Sequence, residues 1–148
     1  MSDVVTVVHG PNLNLLGTRE PEVYGSTTLA ELDGRLVAAG RARGAQVRCH
    51  QRNGEGAIIE LIHAAPGAIV INPGGYTHTS VAIADALRAV PGPAVEVHLS
   101  NIYAREEIRR ISITAAACSG VVMGLGVNSY LLALEAVLEM IGSGAERS

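Results

Sequence analysis

The sequence contains no lysine, no tryptophan and no phenylalanine among its 148 residues. All 11 basic residues are therefore arginine. Without a lysine the chain cannot form a Schiff base with a ketone, hold pyridoxal phosphate covalently or supply the lysine of a P-loop. Hydrolases that use a Ser-Lys pair are excluded for the same reason.

Charge and long apolar runs are also scarce. The chain has 14 acidic against 11 basic residues, so it has no excess of positive charge for nucleic acid or another polyanion. Its apolar runs, such as Ala68 to Ile71, are far shorter than a membrane span, and Asp3 stands where a signal peptide carries basic residues. We expect a cytoplasmic protein that binds neither nucleic acid nor membrane.

Only two cysteines are present, Cys49 and Cys118. A chain of this length can bury a sizeable core without disulfides, so we expect both thiols to be reduced and packed. The mean hydropathy of +0.29 is high for a monomer of this size. It indicates that part of the apolar surface is buried between subunits.

Strand-like apolar runs alternate with helical patterns along the whole chain, without a repeat or a linker. This alternation predicts one α/β domain over residues 1–148. Thr28 with Glu31 forms a capping box for one helix, and Ser80 is placed to cap another. Strands are expected at residues 4–8, 47–50, 68–71, 94–99 and 120–123. This order favours a flavodoxin-like, doubly wound parallel sheet with strand order 2-1-3-4-5 between two helical layers.

Polar side chains cluster where three of the predicted strands end. The clusters are the segments 9–14, 72–78 and 96–101, which are rich in His, Asn and Ser. In a doubly wound sheet these carboxyl ends meet beside the switch point between the first and third strands, where ligands bind. Because buried polar groups need partners, this clustering favours a binding site over chance packing.

Glu96 and His98 lie two residues apart on a predicted strand, so their side chains share one face. A carboxylate beside an imidazole favours the imidazolium, which makes the pair a candidate general acid. The alternative is a core histidine held by its neighbour. A metal site with His78 and His98 as ligands is disfavoured, because few acidic or Cys partners lie nearby in the sequence.

The long connection after the first strand, Gly17 to Gly25, has a glycine at each end and a proline within it. It resembles a lid over the site. Arg19 and Tyr24 both lie on it, and a guanidinium near a phenol favours the phenolate, so the two residues together are a candidate base. An exposed loop with an incidental tyrosine is the alternative.

Two further segments are weaker signals. Gly124 to Ser129 nearly matches a dinucleotide-binding fingerprint, but no second βαβ half follows it, so it is interpreted as tight strand-to-helix packing. The mixed charges from Arg105 to Arg110 are typical of a solvated helix face. An arginine there is also suited to binding a substrate carboxylate in a bidentate manner.

Taken together, three segments resemble the type II 3-dehydroquinate dehydratases, and the resemblance covers nearly the whole chain. They are HGPNLNLLGTREPEVYG at 9–25, NPGGYTHTSVAIADAL at 72–87, and EVHLSN at 96–101 followed by REEIRR at 105–110. The family has a flavodoxin-like fold, in agreement with the predicted topology. The resemblance implies a cofactor-free and metal-free lyase that converts 3-dehydroquinate to 3-dehydroshikimate in the shikimate or quinate pathway. The reaction is an anti elimination through an enolate.

The resemblance also implies roles for individual residues. Tyr24 matches the base, and Arg19 matches the lid arginine that holds it as phenolate. Asn12 matches the residue that orients a water against the enolate oxygen. His98, supported by Glu96, matches the general acid that protonates the departing hydroxyl.

Six positions match substrate-binding residues: Asn72, His78, Asp85, Leu99, Ser100 and Arg109. Arg109 is expected on the substrate carboxylate. Asp85 matches an acidic residue that a neighbouring subunit contributes, because the family assembles trimers into a dodecamer. Such a homo-oligomer agrees with the high mean hydropathy.

The chain departs from the usual family pattern at Gly75, Tyr103, Ile108, Ile111, Ile113 and Ser129, none of which is a catalytic position. A non-catalytic flavodoxin-like module that binds a small ligand is the alternative function. A receiver-type module would need clustered acids after the first strand and a lysine after the last, which this chain does not have.

Overall fold

A computed structural model describes residues 3–18 and 25–142 of the chain. Its centre is a five-stranded parallel sheet in the order β2-β1-β3-β4-β5, which confirms the predicted topology. The strands are β1 (Asp3–His9), β2 (Ala45–Gln51), β3 (Ala68–Asn72), β4 (Ala94–His98) and β5 (Gly120–Met123). The α-helices are α1 (Leu29–Ala42), α2 (Glu55–Ala64), α3 (Val81–Ala89) and α4 (Asn128–Gly142).

Helices cover both faces of the sheet, which makes the fold three-layered. On one face, α1 and α4 bury a cluster that includes Leu36 and Leu134 against the valines of β1, β3 and β4. On the other face, α2 and α3 bury Ile62 and Ile83 against Ile69. Because both faces are covered, the central strands are apolar runs without alternation, as expected for a parallel sheet.

The predicted helix caps are confirmed. The Thr28 side chain accepts a hydrogen bond from the Glu31 N–H, and the Glu31 carboxylate accepts one from the Thr28 N–H. The Ser80 hydroxyl accepts from the Ile83 N–H and begins α3. The tight turn before α4 is also confirmed, since the Ser129 hydroxyl accepts from the Leu125 N–H at 3.0 Å.

The charged segment after β4 differs from the expected helix face. Only Glu107–Arg110 is helical, as one turn of 3-10 helix. The following residues return to the 3-10 turn after β3, Gly74–His78, where the Ile113 N–H donates to the Thr77 carbonyl and the Ile111 carbonyl accepts from His78. Because the chain is hydrogen-bonded to this turn from Ile111 onward, the charged segment before it is too short for an α-helix.

Within residues 3–18 and 25–142, no helix is long and apolar enough to cross a membrane. Arg19 and Tyr24, on which the predicted base depends, lie outside the described residues.

Both cysteines are free thiols, and both are partly buried. Burial, with the charge of Glu96 as a smaller cause, raises the pKa of the Cys118 thiol to about 12. Burial also raises the pKa of Cys49, with Asp33 adding to the effect.

We therefore expect slow alkylation of the native protein by iodoacetamide at pH 8. The thiolate is the reactive form, so Cys118 should react roughly a thousandfold more slowly than an ordinary thiol. Mass spectrometry of native and urea-unfolded samples checks this expectation. Rapid labelling of both thiols in the native protein would contradict it.

Candidate active site

A cavity of about 310 Å³ opens where β1, β3 and β4 end, at the predicted switch point. Its size suits a small organic ligand. Its wall contains seven of the predicted site residues, namely Asn12, Asn72, His78, His98, Leu99, Ser100 and Arg109. The sequence segments that follow three separate strands therefore meet in one place.

The turn after β1 brings Asn12 to the cavity in a special backbone conformation. Its φ is 70°, the left-handed region that asparagine tolerates better than most residues. Gly10 allows the turn to pass close to the end of β3, because a Cβ there would lie 2.7 Å from the Asn72 carbonyl oxygen. The Asn12 N–H donates to the Asn53 side chain at 3.0 Å, which holds the turn in place.

Glu96 and His98 form the predicted pair at the end of β4. The distance between His98 Nε2 and Glu96 Oε2 is 2.8 Å, and Glu96 is fully buried. His98 Nδ1 has no hydrogen-bond partner in the described part of the chain, so this nitrogen is available to a ligand in the cavity. Glu96 therefore holds the ring through Nε2.

Three hydroxyl groups surround the Glu96 carboxylate, and the sequence interpretation missed all of them. Thr77 and Ser112 donate to Oε2 at 2.9 and 2.7 Å, and Thr114 donates to Oε1. Burial alone raises the pKa of Glu96, but the hydrogen bonds from His98, Thr114 and Ser112 outweigh it and lower that pKa below its usual value. The carboxylate is thus kept ionised inside the protein.

Replacing Thr114 with Val should lower the free energy of unfolding by about 2 kcal/mol at neutral pH, because a buried carboxylate loses a donor. A lowered pKa stabilises the fold fully above the unfolded value of 4.5 and loses that effect as pH falls through the folded value. The difference between T114V and the native protein should therefore shrink in acid. Urea unfolding at several pH values measures it.

The matched control is T79V, which changes an exposed threonine two residues from Thr77. It should unfold like the native protein at every pH. A T114V variant as stable as the control at neutral pH would refute the role given to this hydroxyl.

The remaining polar groups of the wall include two guanidinium groups. Arg109 Nε donates to Glu106 Oε1 at 2.7 Å, and Arg105 Nη2 donates to Ser100 Oγ at 2.6 Å. The sequence interpretation named Arg109 but gave Arg105 only as part of the charged segment. Guanidinium groups bind carboxylates through paired N–H donors, so this wall is suited to a carboxylate ligand.

His78 is held in one orientation by the return of the chain after β4. Its Nδ1 lies 2.7 Å from the Ile111 carbonyl oxygen, which only accepts, so Nδ1 carries the hydrogen and donates. Among the described residues, the side chains with the spacing of a metal site are His9, Asp33 and Cys49, and neither His78 nor His98 belongs to that group. The structure therefore adds no third ligand to the metal alternative.

Asp85 does not line this cavity. It lies on the exposed side of α3, and its carboxylate is 3.6 Å from Arg88 Nη1. Arg19 and Tyr24 are outside the described residues, so their predicted roles stay predictions.

Comparison with known proteins shows the family to which this chain belongs. Residues 3–138 match the family described as "Dehydroquinase class II". A 3-dehydroquinate dehydratase of Ruegeria pomeroyi is 54% identical over 90% of this chain and 91% of its own, and one of Rhodopseudomonas palustris is 50% identical over 99% of both. The crystal structure of a type II dehydroquinase from Propionibacterium acnes is similar with a TM-score of 0.90. It is 43% identical, and the similarity covers 94% of this chain and 98% of that one. This chain belongs to the class II dehydroquinase family.

Proposed function

We propose that this chain dehydrates 3-dehydroquinate to 3-dehydroshikimate, by anti elimination through an enolate. The observation that carries the proposal is the buried Glu96–His98 pair, which opens into a cavity with two guanidinium groups. The substrate is a small carboxylate with a hydroxyl leaving group. The cavity therefore offers both a cationic binding surface and a candidate proton donor for this chemistry.

Proton removal is assigned to Tyr24. Its phenolate, assisted by Arg19, takes a proton from the carbon next to the substrate ketone, and the electron pair moves to the ketone oxygen as an enolate. Asn12 holds a water that donates a hydrogen bond to this oxygen. The left-handed turn that brings Asn12 to the cavity wall supports this assignment.

Loss of the hydroxyl is assigned to His98. The enolate electrons return to form the carbon–carbon double bond, the carbon–oxygen bond breaks, and His98 Nδ1 donates a proton so that water leaves. The ionised Glu96 keeps the ring in place at Nε2 and balances its charge. The hydroxyl groups of Thr77, Ser112 and Thr114 position Glu96 in turn.

Substrate binding is assigned to Asn72, His78, Leu99, Ser100 and Arg109, all of which line the cavity. Arg109 binds the substrate carboxylate. Arg105, which is tied to Ser100, adds positive charge on the same wall. A non-catalytic module would also explain a polar cavity, but it gives no reason for a buried carboxylate–imidazole pair at its base.

The working form is proposed to be a dodecamer built from four trimers, in which Asp85 contributes to a neighbour's site. Asp85 and Val81 lie one turn apart on α3, and the Val81 residue is 59% exposed. Three of the positions that depart from the family pattern, Tyr103, Ile108 and Ile111, are also exposed at 65, 69 and 64%. Sedimentation velocity tests the assembly, and a monomer at micromolar concentration would refute it.

The activity itself is tested with purified protein, 3-dehydroquinate and a metal chelator. The conjugated product absorbs in the near ultraviolet, where a chain without tryptophan absorbs little. Turnover that the chelator does not change is the expected result. A folded, assembled protein that produces no product would refute the proposed function.

A further inference from the structure

Two amide side chains outside the cavity bind the turn that carries Asn12. Gln51 ends β2, and Asn53 follows it in an exposed segment. Neither residue lines the cavity, and the proposed reaction uses neither of them. Their hydrogen bonds nevertheless reach the backbone of the turn after β1, which forms part of the cavity wall.

The hydrogen bonds identify each atom of this contact. Gln51 Nε2 donates to the Gly10 carbonyl at 3.0 Å and to Asn53 Oδ1 at 2.9 Å, so both of its hydrogens are used. Asn53 Oδ1 also accepts the Asn12 N–H at 3.0 Å. Because two N–H donors converge on this atom, it is the oxygen of the Asn53 amide and not the nitrogen.

The main chain of the same segment is fixed at two further points. The Arg52 N–H donates to the His9 carbonyl at 3.0 Å, which continues the pairing of β2 with β1. The Tyr76 hydroxyl donates to the Asn53 carbonyl at 2.9 Å, and Tyr76 belongs to the 3-10 turn Gly74–His78 after β3. Asn53 is therefore fastened to the turn after β3 by its main chain and to the turn after β1 by its side chain.

This support matters because the Asn12 backbone is in an unfavourable conformation. Its φ of 70° lies in the left-handed region, which a residue with a side chain adopts only when its surroundings hold it there. Among the described residues, Asn53 supplies the acceptor for the Asn12 N–H. Without that acceptor the backbone at Asn12 can relax, and the Asn12 side chain moves with it. A displacement of about 1 Å at a group that positions a reactant is enough to lower a rate by about 10²-fold.

We propose that Gln51 and Asn53 are positioning residues for Asn12. They hold its backbone so that its side chain places the water at the enolate oxygen, although neither residue touches the substrate. Asn53 supports Asn12 directly, and Gln51 supports Asn53 and Gly10 together. This assignment rests on the proposed function, in which Asn12 acts on the enolate.

The kinetic test compares N53A with N53D. N53A removes the acceptor oxygen at an exposed position and should lower kcat about tenfold with little change in KM, because the enolate charge develops only after the substrate is bound. N53D keeps an acceptor oxygen for both donors and should recover most of the native kcat. Q46A, at an exposed amide earlier on β2, is the control and should behave like the native protein.

A double-mutant cycle shows whether the effect passes through Asn12. N12G removes the side chain, and glycine adopts a φ of 70° without strain. In the N12G background, N53A should have almost no further effect. Equal losses from N53A in both backgrounds would overturn the proposal, as would an N53A enzyme with native kcat or an N53D enzyme as slow as N53A.

A second measurement needs no activity. Hydrogen–deuterium exchange, followed by mass spectrometry of overlapping peptides, reports the exchange rate of the Asn12 N–H. This rate should rise about tenfold in N53A and stay native in N53D, because only N53A loses the acceptor. Unchanged exchange in N53A would overturn the proposal. A protein with the expected exchange that does not dehydrate 3-dehydroquinate would instead refute the proposed function and leave the support of Asn12 in place.

Discussion

Replacing Tyr24 with Phe should lower kcat by about 10³-fold or more while the fold stays intact, because phenylalanine keeps the ring but cannot form the phenolate base. Proton abstraction begins the proposed reaction, so no later step compensates for its loss. The measurement is kcat from product absorbance, together with circular dichroism and thermal unfolding of the variant.

Y103F is the matched control, since it removes a hydroxyl from an exposed tyrosine. It should keep the native kcat. A Y24F variant with a near-native rate would rule out the phenolate, and an equal loss in Y103F would show that the effect is not specific to Tyr24.

Replacing His98 with Ala should stop dehydration but spare proton abstraction. General acid catalysis contributes about 10²- to 10⁴-fold, so a loss of about 10³-fold in product formation is expected. The enolate still forms at Tyr24 and takes a proton back from solvent. In D₂O, NMR should therefore show deuterium entering the substrate next to its ketone while product accumulates slowly.

H63A is the control for this variant, because His63 is an exposed histidine on α2. It should match the native enzyme in both exchange and dehydration. If H98A loses exchange and dehydration to the same degree, the division between Tyr24 as base and His98 as acid is wrong.

The fold was largely predictable because its signals are local. The strand at 120–123 is observed at those residues, and the capping box of Thr28 and Glu31 marks the start of α1. The ends of the second strand differ from the prediction. The second strand was predicted at 47–50 but spans Ala45–Gln51, since pairing with β1 extends it beyond its apolar residues. Long-range pairing of this kind leaves no mark in a local pattern.

The cavity wall was predictable for a different reason. Parallel strands bring their carboxyl ends to one edge, so segments far apart in the sequence were expected to meet. Seven of the predicted residues do line the cavity. Asp85 does not, and a role for it depends on a second copy of the chain, whose position a single sequence does not reveal.

The groups that support Glu96 were not predictable in this way. Ser112 and Thr114 follow it by 16 and 18 residues, in an irregular segment without periodicity. The only available signal was chemical: a buried carboxylate and a buried histidine both need hydrogen-bond partners, and such partners have to be sought among distant hydroxyl groups.

The most direct test of the account is the fate of deuterium placed stereospecifically next to the ketone of 3-dehydroquinate. In an anti elimination the base and the acid act on opposite faces of the substrate. Deuterium anti to the departing hydroxyl should therefore be lost to water, and deuterium syn to it should stay in the product. Mass spectrometry of the product distinguishes the two cases. Retention of the anti label with loss of the syn label would contradict the proposed placement of Tyr24 and His98.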